Sequence, residues 1–422
     1  MCARTVRSLS SKKPKEEEKV MRRLWMLGLL AAALMIGAGQ VWAQQDNASQ
    51  PAEAKVETAV PAAPAAPAAG GSKLERAIQA APVGSEPGHI DSSKAPGFLG
   101  IPGAPQVNPF LALLWAIWVG WIFSTVGAFG GVMAGVGHMT IFGLGGYAKS
   151  FKGTAPELNK TLTDSIRGSN QFLVGLSALI SSFNYWKMGR LVMPLAIALG
   201  LGSLLGAWGS VTLTAGKISF SQYQGWFGLF VLALGCYLFW ETSPAGQASK
   251  KKAKEAAQAF ERAVKEKGAG CEIDTKVKIV SASVTKVQFT FCGVEFTFNP
   301  LLPIFGGVAI SAVAAFLGVG GGFLLVPFLT SITQLPMYLA AGTSALAVLI
   351  SMITSIATLI SKGTPMDWAL IGAELVGIAI GSVIGPRTSK YLSDIWLKRL
   401  FIVLALYVGI RYSLRGFFGI NI

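Results

Sequence analysis

Charge is scarce in this chain. Of its 422 residues, 14% are Asp, Glu, Lys or Arg, against 52% hydrophobic; a soluble domain carries about a quarter charged residues. A large water-soluble core is excluded on that ground. Histidine is scarcer still: the two present, His89 and His138, lie far apart. The four cysteines (Cys2, Cys236, Cys271, Cys292) form no CxxC pair, so the sequence implies no metal site, haem attachment or other cofactor. No HExxH, no paired carboxylates and no serine–histidine set falls within the apolar runs, which leaves an intramembrane enzyme the weakest reading. A Gly-x-Gly-x-x pattern at 318–322 has apolar runs on both sides rather than a strand and a soluble helix, and no Walker lysine follows it, so nucleotide chemistry is not expected. The net charge of +15 sits in the N-terminal head and the loops. It reads as positive charge at a bilayer surface, with no aromatic and basic surface for nucleic acid.

What the chain has in quantity is apolar runs near the roughly 20 residues that span a bilayer as helix. Residues 1–20 are charged; Met21-Arg-Arg precedes an apolar run from Leu24 to Ile36, and Val41-Trp-Ala43 places small residues where a signal peptidase reads. Residues 1–43 are therefore expected to be a signal peptide, or else an uncleaved anchor, with translation starting at Met21. Residues 44–107, rich in Ala, Pro, Gln and Ser, hold too few apolar residues to offset the entropy of ordering, and a disordered exported spacer is expected. A first membrane unit covers 108–242, with a mixed-charge loop near Lys149–Arg167 and spans near 171–182, 191–213 and 223–240. A soluble insertion follows at 243–298: a lysine-rich surface helix over Ser249–Lys267, then strand alternation from Lys276 to Phe298 with a hairpin turn at 292–294. A second unit fills 299–422, with spans near 301–329, 337–360, 368–384 and 395–412.

The two units match. Gly127-x-x-Gly130-Gly131 corresponds to Gly318-x-x-Gly321-Gly322, Gly168-Ser-Asn170 to Gly342-Thr-Ser344, Gly202-Ser-Leu-Leu-Gly206 to Gly381-Ser-Val-Ile-Gly385, and Val-Leu-Ala-Leu at 231–234 recurs at 403–406. The expected fold is an all-α polytopic membrane protein of two homologous halves, about four transmembrane helices each, with the first helix of each half broken by glycines and a small β-containing insertion between them. If the first stretch of each half folds as two spans, each half has five and the halves are inverted; the side of the insertion depends on which holds. Duplicated glycine breaks are the sequence pointer to a transport site at the repeat interface. The GxxxG spacings at Gly202/Gly206, Gly377/Gly381 and Gly381/Gly385 read as close helix packing.

The stretch Gly318-Val-Gly-Gly-Gly-Phe-Leu-Leu-Val-Pro327, with Ala341-Gly-Thr-Ser344 after it and a degenerate copy of both earlier, resembles the TauE/SafE sulfite exporter family over 108–242 and 299–418. The resemblance implies a multi-pass permease of the inner membrane for sulfite, a sulfonate or a related small anion.

In that role, backbone N–H groups of Gly130, Gly131, Gly320, Gly321 and Gly322 could bind an oxyanion without a trapping cation. Ser169, Asn170, Thr343 and Ser344 are expected to begin the next helix of each half, where they could cap it or bind the anion. His138 and Glu374 are the ionisable groups placed within spans and are candidates for a coupling proton. Arg167 reads as an interfacial side chain, with a fixed counter-charge to the anion as the alternative. The rival function is a non-transporting scaffold or sensor working through 243–298. The partners are a small anion and the lipid bilayer; the anion, the direction of transport, a disulfide between Cys271 and Cys292, and homo-oligomer formation are left open.

Overall fold

A computed structural model describes residues 72–126, 129–187, 191–244, 278–283, 286–291, 294–332, 337–389 and 394–420. The signal segment, Gly127, the lysine-rich helix over Ser249–Lys267, Cys271 and Cys292 lie outside these residues.

The described chain is mostly helical. A short helix α1 (Lys73–Gln79) precedes α2 (Pro109–Val126), α3 (Phe129–Val136), a π turn (Gly137–Ile141), α4 (Leu144–Ser150), α5 (Pro156–Lys187), α6 (Met193–Thr214) and α7 (Phe220–Thr242). Strands β1 (Lys278–Ala282), β2 (Val287–Phe291) and β3 (Val294–Phe298) follow, then α8 (Leu301–Leu317), α9 (Gly322–Ile332), α10 (Met337–Ser361), α11 (Trp368–Ser389), α12 (Asp394–Ser413) and a second π turn (Leu414–Phe418). Among the described residues five segments are long and apolar enough to cross a membrane: Met193–Thr214, Phe220–Thr242, Leu339–Ser361, Trp368–Gly385 and Phe401–Phe418. Pro109–Thr125 and Leu301–Leu317 are shorter apolar helices.

Helix α2 packs along α11, α8 along α6, and α12 along α7. Small residues set these crossings. A Cβ on Gly381 would strike the carbonyl of Ile117, and one on Gly202 that of Ile304. The GxxxG spacings thus sit where backbones touch, as packing in lipid favours.

Two expectations are corrected. Helix α5 runs through the stretch expected to be a mixed-charge loop near Lys149–Arg167. Its polar residues face protein: Thr161, Thr163, Asp164, Ser165, Arg167, Ser169, Asn170 and Gln171 are all buried. Several hydroxyls bond back into the helix, Thr163 to the Asn159 carbonyl at 2.7 Å, Ser165 to Thr161 at 3.0 Å and Ser169 to Ser165 at 3.1 Å. That back-bonding lets a polar sequence stay helical.

The second correction concerns residues 72–107, expected to belong to a disordered spacer. They form a packed strap. Ser72 and Glu75 make a capping box for α1. Phe98, Ile90 and Ile101 are buried, and the strap is tied to the bundle through Leu99 N–H to Asp367 Oδ2 at 3.0 Å and Thr154 Oγ1 to the Gly88 carbonyl at 2.6 Å. Composition undercounts such a segment, because a few well-placed apolar residues, Ile90, Phe98 and Ile101, are enough to join it to the core of the bundle.

The sheet is antiparallel in the order β1-β2-β3, with Phe291 opposite Val294. Val287, Phe289 and Phe298 join a buried cluster with Val192, Leu195 and Leu329, so one face of the sheet is docked on helix residues.

Candidate functional site

The apolar stretch before Pro327 bends at its glycines. Helix α8 stops at Gly318, whose φ of 69° is left-handed, and Gly320 has φ 72°. Only glycine adopts that backbone freely. The N–H groups of Gly318 and Val319 both donate to the Ala314 carbonyl, at 2.8 and 3.2 Å. Helix α9 starts at Gly322. Among the described residues the N–H groups of Gly320, Gly321 and Gly322 find no acceptor, and Gly320 and Gly321 are buried. An unpaired buried donor is costly, and at a helix N-terminus it faces an end that favours negative charge.

The first half meets this bend directly. Gly131, near the start of α3, lies so close to Val319 that a Cβ would strike the Val319 carbonyl. Helix α5 lines the other side: a Cβ on Gly318 would meet the Arg167 carbonyl at 3.1 Å and Asn170 Cβ at 3.3 Å, and one on Gly320 would meet Val174 Cγ1 at 2.6 Å. Gly130 packs against the Phe123 ring.

Beside the bend runs a chain of buried polar groups. His138, in the π turn, places Nε2 3.1 Å from Glu374 Oε2 on α11. Its Nδ1 lies 2.6 Å from Asn170 Oδ1 and 3.1 Å from the Ala134 carbonyl. Asn170 Nδ2 approaches the Tyr223 hydroxyl at 3.5 Å, and Tyr223 donates to the Leu317 carbonyl at 3.0 Å, one residue before Gly318. His138, Glu374, Asn170 and Tyr223 are all fully buried. Glu374 Oε1 has no partner among the described residues. π turns recur at functional sites, and this one delivers the sole histidine of the bundle.

One turn from Asn170, Arg167 is fully buried, not interfacial as its sequence setting suggested. It bonds Asp164 Oδ1 at 3.0 Å and Thr214 Oγ1 at 3.1 Å, and its guanidinium lies 5.4 Å from the Phe316 ring centre. Its Nε has no partner among the described residues. Asp164 Oδ2 also takes the Gly216 N–H at 2.5 Å and lies 3.9 Å from Lys73 Nζ of the strap. An arginine survives at this depth because Asp164 and Phe316 replace water around it.

The sequence candidates therefore divide. Gly131, Gly320, Asn170, His138 and Glu374 come together around the bend, with Gly130, Gly321 and Gly322 adjoining. Ser169 lies mid-helix and bonds its own backbone. Thr343 and Ser344 lie inside α10, two turns from its start, and cannot cap it: Thr343 Oγ1 accepts the Val192 N–H at 3.4 Å, and Ser344 bonds the Ala341 carbonyl at 3.0 Å. Tyr223, Asp164 and Gln171, whose Nε2 donates to the Ala315 carbonyl at 2.9 Å, were missed. The i,i+3 spacing of Asp164 and Arg167 was the available signal.

Comparison with known proteins agrees with this architecture. A "Probable membrane transporter protein YunE" of Bacillus subtilis (strain 168) is 23% identical over 300 residues, 66% of this chain and 94% of its own. A "Probable membrane transporter protein" of Xylella fastidiosa (strain 9a5c) is 32% identical over 108 residues, 24% of this chain; the match spans 41% of that relative's length. No solved structure matches. The sequence pattern described as "Sulfite exporter TauE/SafE" matches residues 111–412, nearly the whole membrane part. The chain is a multi-pass membrane transporter and belongs to the sulfite exporter TauE/SafE family.

Proposed function

We propose that this protein is a secondary transporter that carries sulfite, a sulfonate or a similar small anion across the cell's inner membrane. The bend at Gly318–Gly322 is the binding site, shared by two homologous halves. The observation that carries the reading is the set of three glycine N–H groups at 320–322 that find no acceptor among the described residues, at the start of a helix and beside the first-half contact of Gly131 with Val319. Backbone donors suit a tetrahedral or pyramidal oxyanion, since they supply hydrogen bonds and partial charge without holding the ion too tightly to release. The buried Arg167 adds a fixed positive charge one helical turn from Asn170, damped by Asp164.

Support for two homologous halves comes from the crossings. Gly202 of α6 rests on the backbone of α8, and its sequence counterpart Gly381 of α11 rests on the backbone of α2. Each half thus lays its first helix across the other half. Such an interlock allows one half to rock against the other around the bend, exposing it to each face in turn.

The test is uptake of labelled sulfite and labelled alkylsulfonate by proteoliposomes. Saturable flux of one of them, lost in Gly320→Val with the protein still folded, is the expected result. Folded wild-type protein that moves neither ion would end this reading.

A further inference from the structure

We propose that His138 and Glu374 hold one exchangeable proton that licenses anion binding at the Gly318–Gly322 bend, so that proton and anion cross together as symport. This rests on the transporter reading and adds its coupling ion, its stoichiometry and the residues that link the two events.

The polarity of the hydrogen-bond chain carries the inference. The Leu317 carbonyl can only accept, so Tyr223 gives it the hydroxyl proton. The Tyr223 oxygen then accepts from Asn170 Nδ2, which turns Asn170 Oδ1 toward His138 Nδ1. That oxygen and the Ala134 carbonyl are both acceptors, so Nδ1 carries the N–H. The bend, through Tyr223 and Asn170, and the Ala134 carbonyl together fix the tautomer. Nε2 is left as the ring atom that titrates, and it faces Glu374 Oε2 at 3.1 Å.

A single proton between Nε2 and Oε2 makes the pair neutral on whichever atom it rests. Removing it leaves one negative charge on two fully buried side chains. Among the described residues Glu374 Oε1 has no partner to offset that charge. The other titratable or charged groups facing the pair are Tyr223 on α7, reached through Asn170, Arg167 one turn from Asn170 on α5, and Tyr412 on α12 against Thr140. Arg167 is balanced by Asp164. The charge state of the His138–Glu374 pair therefore decides the local sign. In a low-dielectric interior an unprotonated pair repels an arriving anion, and a protonated pair does not. With one proton bound per monovalent anion the loaded and the empty site carry the same net charge, so a full transport cycle moves no net charge across the membrane.

The experiment uses labelled methanesulfonate, whose charge does not change over the working pH range, with the full-length protein in proteoliposomes and in detergent. An acid-outside gradient is expected to drive its accumulation by the wild type, and binding is expected to weaken about tenfold per pH unit once the pair deprotonates. In Glu374→Gln the pair can no longer carry a negative charge, so the loss of anion binding at high pH should vanish and the gradient should drive no accumulation. A wild type whose binding ignores pH, or whose accumulation follows the opposite gradient, overturns the proposal without touching the transporter reading. So does a Glu374→Gln protein that keeps the wild-type pH slope. If that variant fails to fold, the wild-type slope and gradient direction decide alone. A folded wild type that neither binds nor moves sulfite or sulfonate defeats both readings.

Discussion

Arg167 and Asp164 form an ion pair 3.0 Å long, one turn apart on α5, with both side chains essentially shielded from solvent. Each is held by further partners, Thr214 for Arg167 and the Gly216 N–H for Asp164. Removing one member of such a pair leaves a buried charge uncompensated, at a cost of about 3–5 kcal/mol, whereas removing both can be close to neutral. Arg167→Gln alone and Asp164→Asn alone should therefore depress thermal stability in detergent strongly. The double variant should recover most of it. If Arg167 contributes to anion binding, the double variant will be stable and still fail in uptake, which separates the charge's role at the site from its role in the fold.

The bend offers a second test. Gly320 combines φ 72° with a neighbour, Val174 Cγ1, 2.6 Å from where a Cβ would stand. A left-handed conformation costs an ordinary residue about 1–2 kcal/mol, and the clash adds to it. Gly320→Ala is expected to destabilise by at least that amount. Val174→Ala in the same chain should relieve the steric part and leave the conformational part, so the double variant should unfold at a temperature between wild type and Gly320→Ala. Equal melting of single and double variants would show that Val174 does not set the limit.

Much of this was legible in the sequence. The length of the apolar runs located the later spans, and alternation of apolar residues located the strands. The glycine cluster at 318–322 announced its own bend, since four glycines in five residues cannot sustain a helix. Helix α5 was misjudged for a physical reason: a helix that lines a protein interior with Thr161, Asp164, Arg167 and Asn170 has the composition of a loop, and only its neighbours reveal that those groups are paired. Tyr223 was invisible for the same reason. Its importance lies in one hydrogen bond to a carbonyl 94 positions away, and no local pattern encodes that.

The strap makes a prediction about accessibility. Phe98 is 2% exposed and anchors residues 72–107 to the bundle. Replacing a buried phenylalanine with alanine costs about 3–5 kcal/mol, here charged mainly to the strap, whose other ties are a few hydrogen bonds. Phe98→Ala should open the segment to limited proteolysis around Lys73 and Lys94 under conditions in which the wild type is cut slowly. The helical circular dichroism of the bundle should barely change. Loss of the bundle's helicity together with the strap would show that the two fold as one unit.

The last prediction separates a structural tyrosine from a coupling one. Tyr223 and Tyr412 are both buried, both near Phe227, and each hydroxyl has a partner, the Leu317 carbonyl for Tyr223 and the half-buried Thr140 hydroxyl for Tyr412. Changing either to phenylalanine removes one oxygen, keeps the ring, and leaves a buried polar group unpaired, worth about 1–3 kcal/mol. Both variants should thus lose comparable stability. They differ in what they disconnect. Tyr223→Phe frees Asn170 from the bend, so Asn170 can turn its amide and leave the His138 Nδ1 proton held by the Ala134 carbonyl alone. Tyr412→Phe leaves that chain whole. Tyr223→Phe should therefore shift or broaden the pH dependence of anion binding, while Tyr412→Phe retains the wild-type profile despite its lower melting temperature. Identical pH profiles in the two variants would mean that Tyr223 only packs the core, and that the link between His138 and the Gly318 bend runs through some other contact.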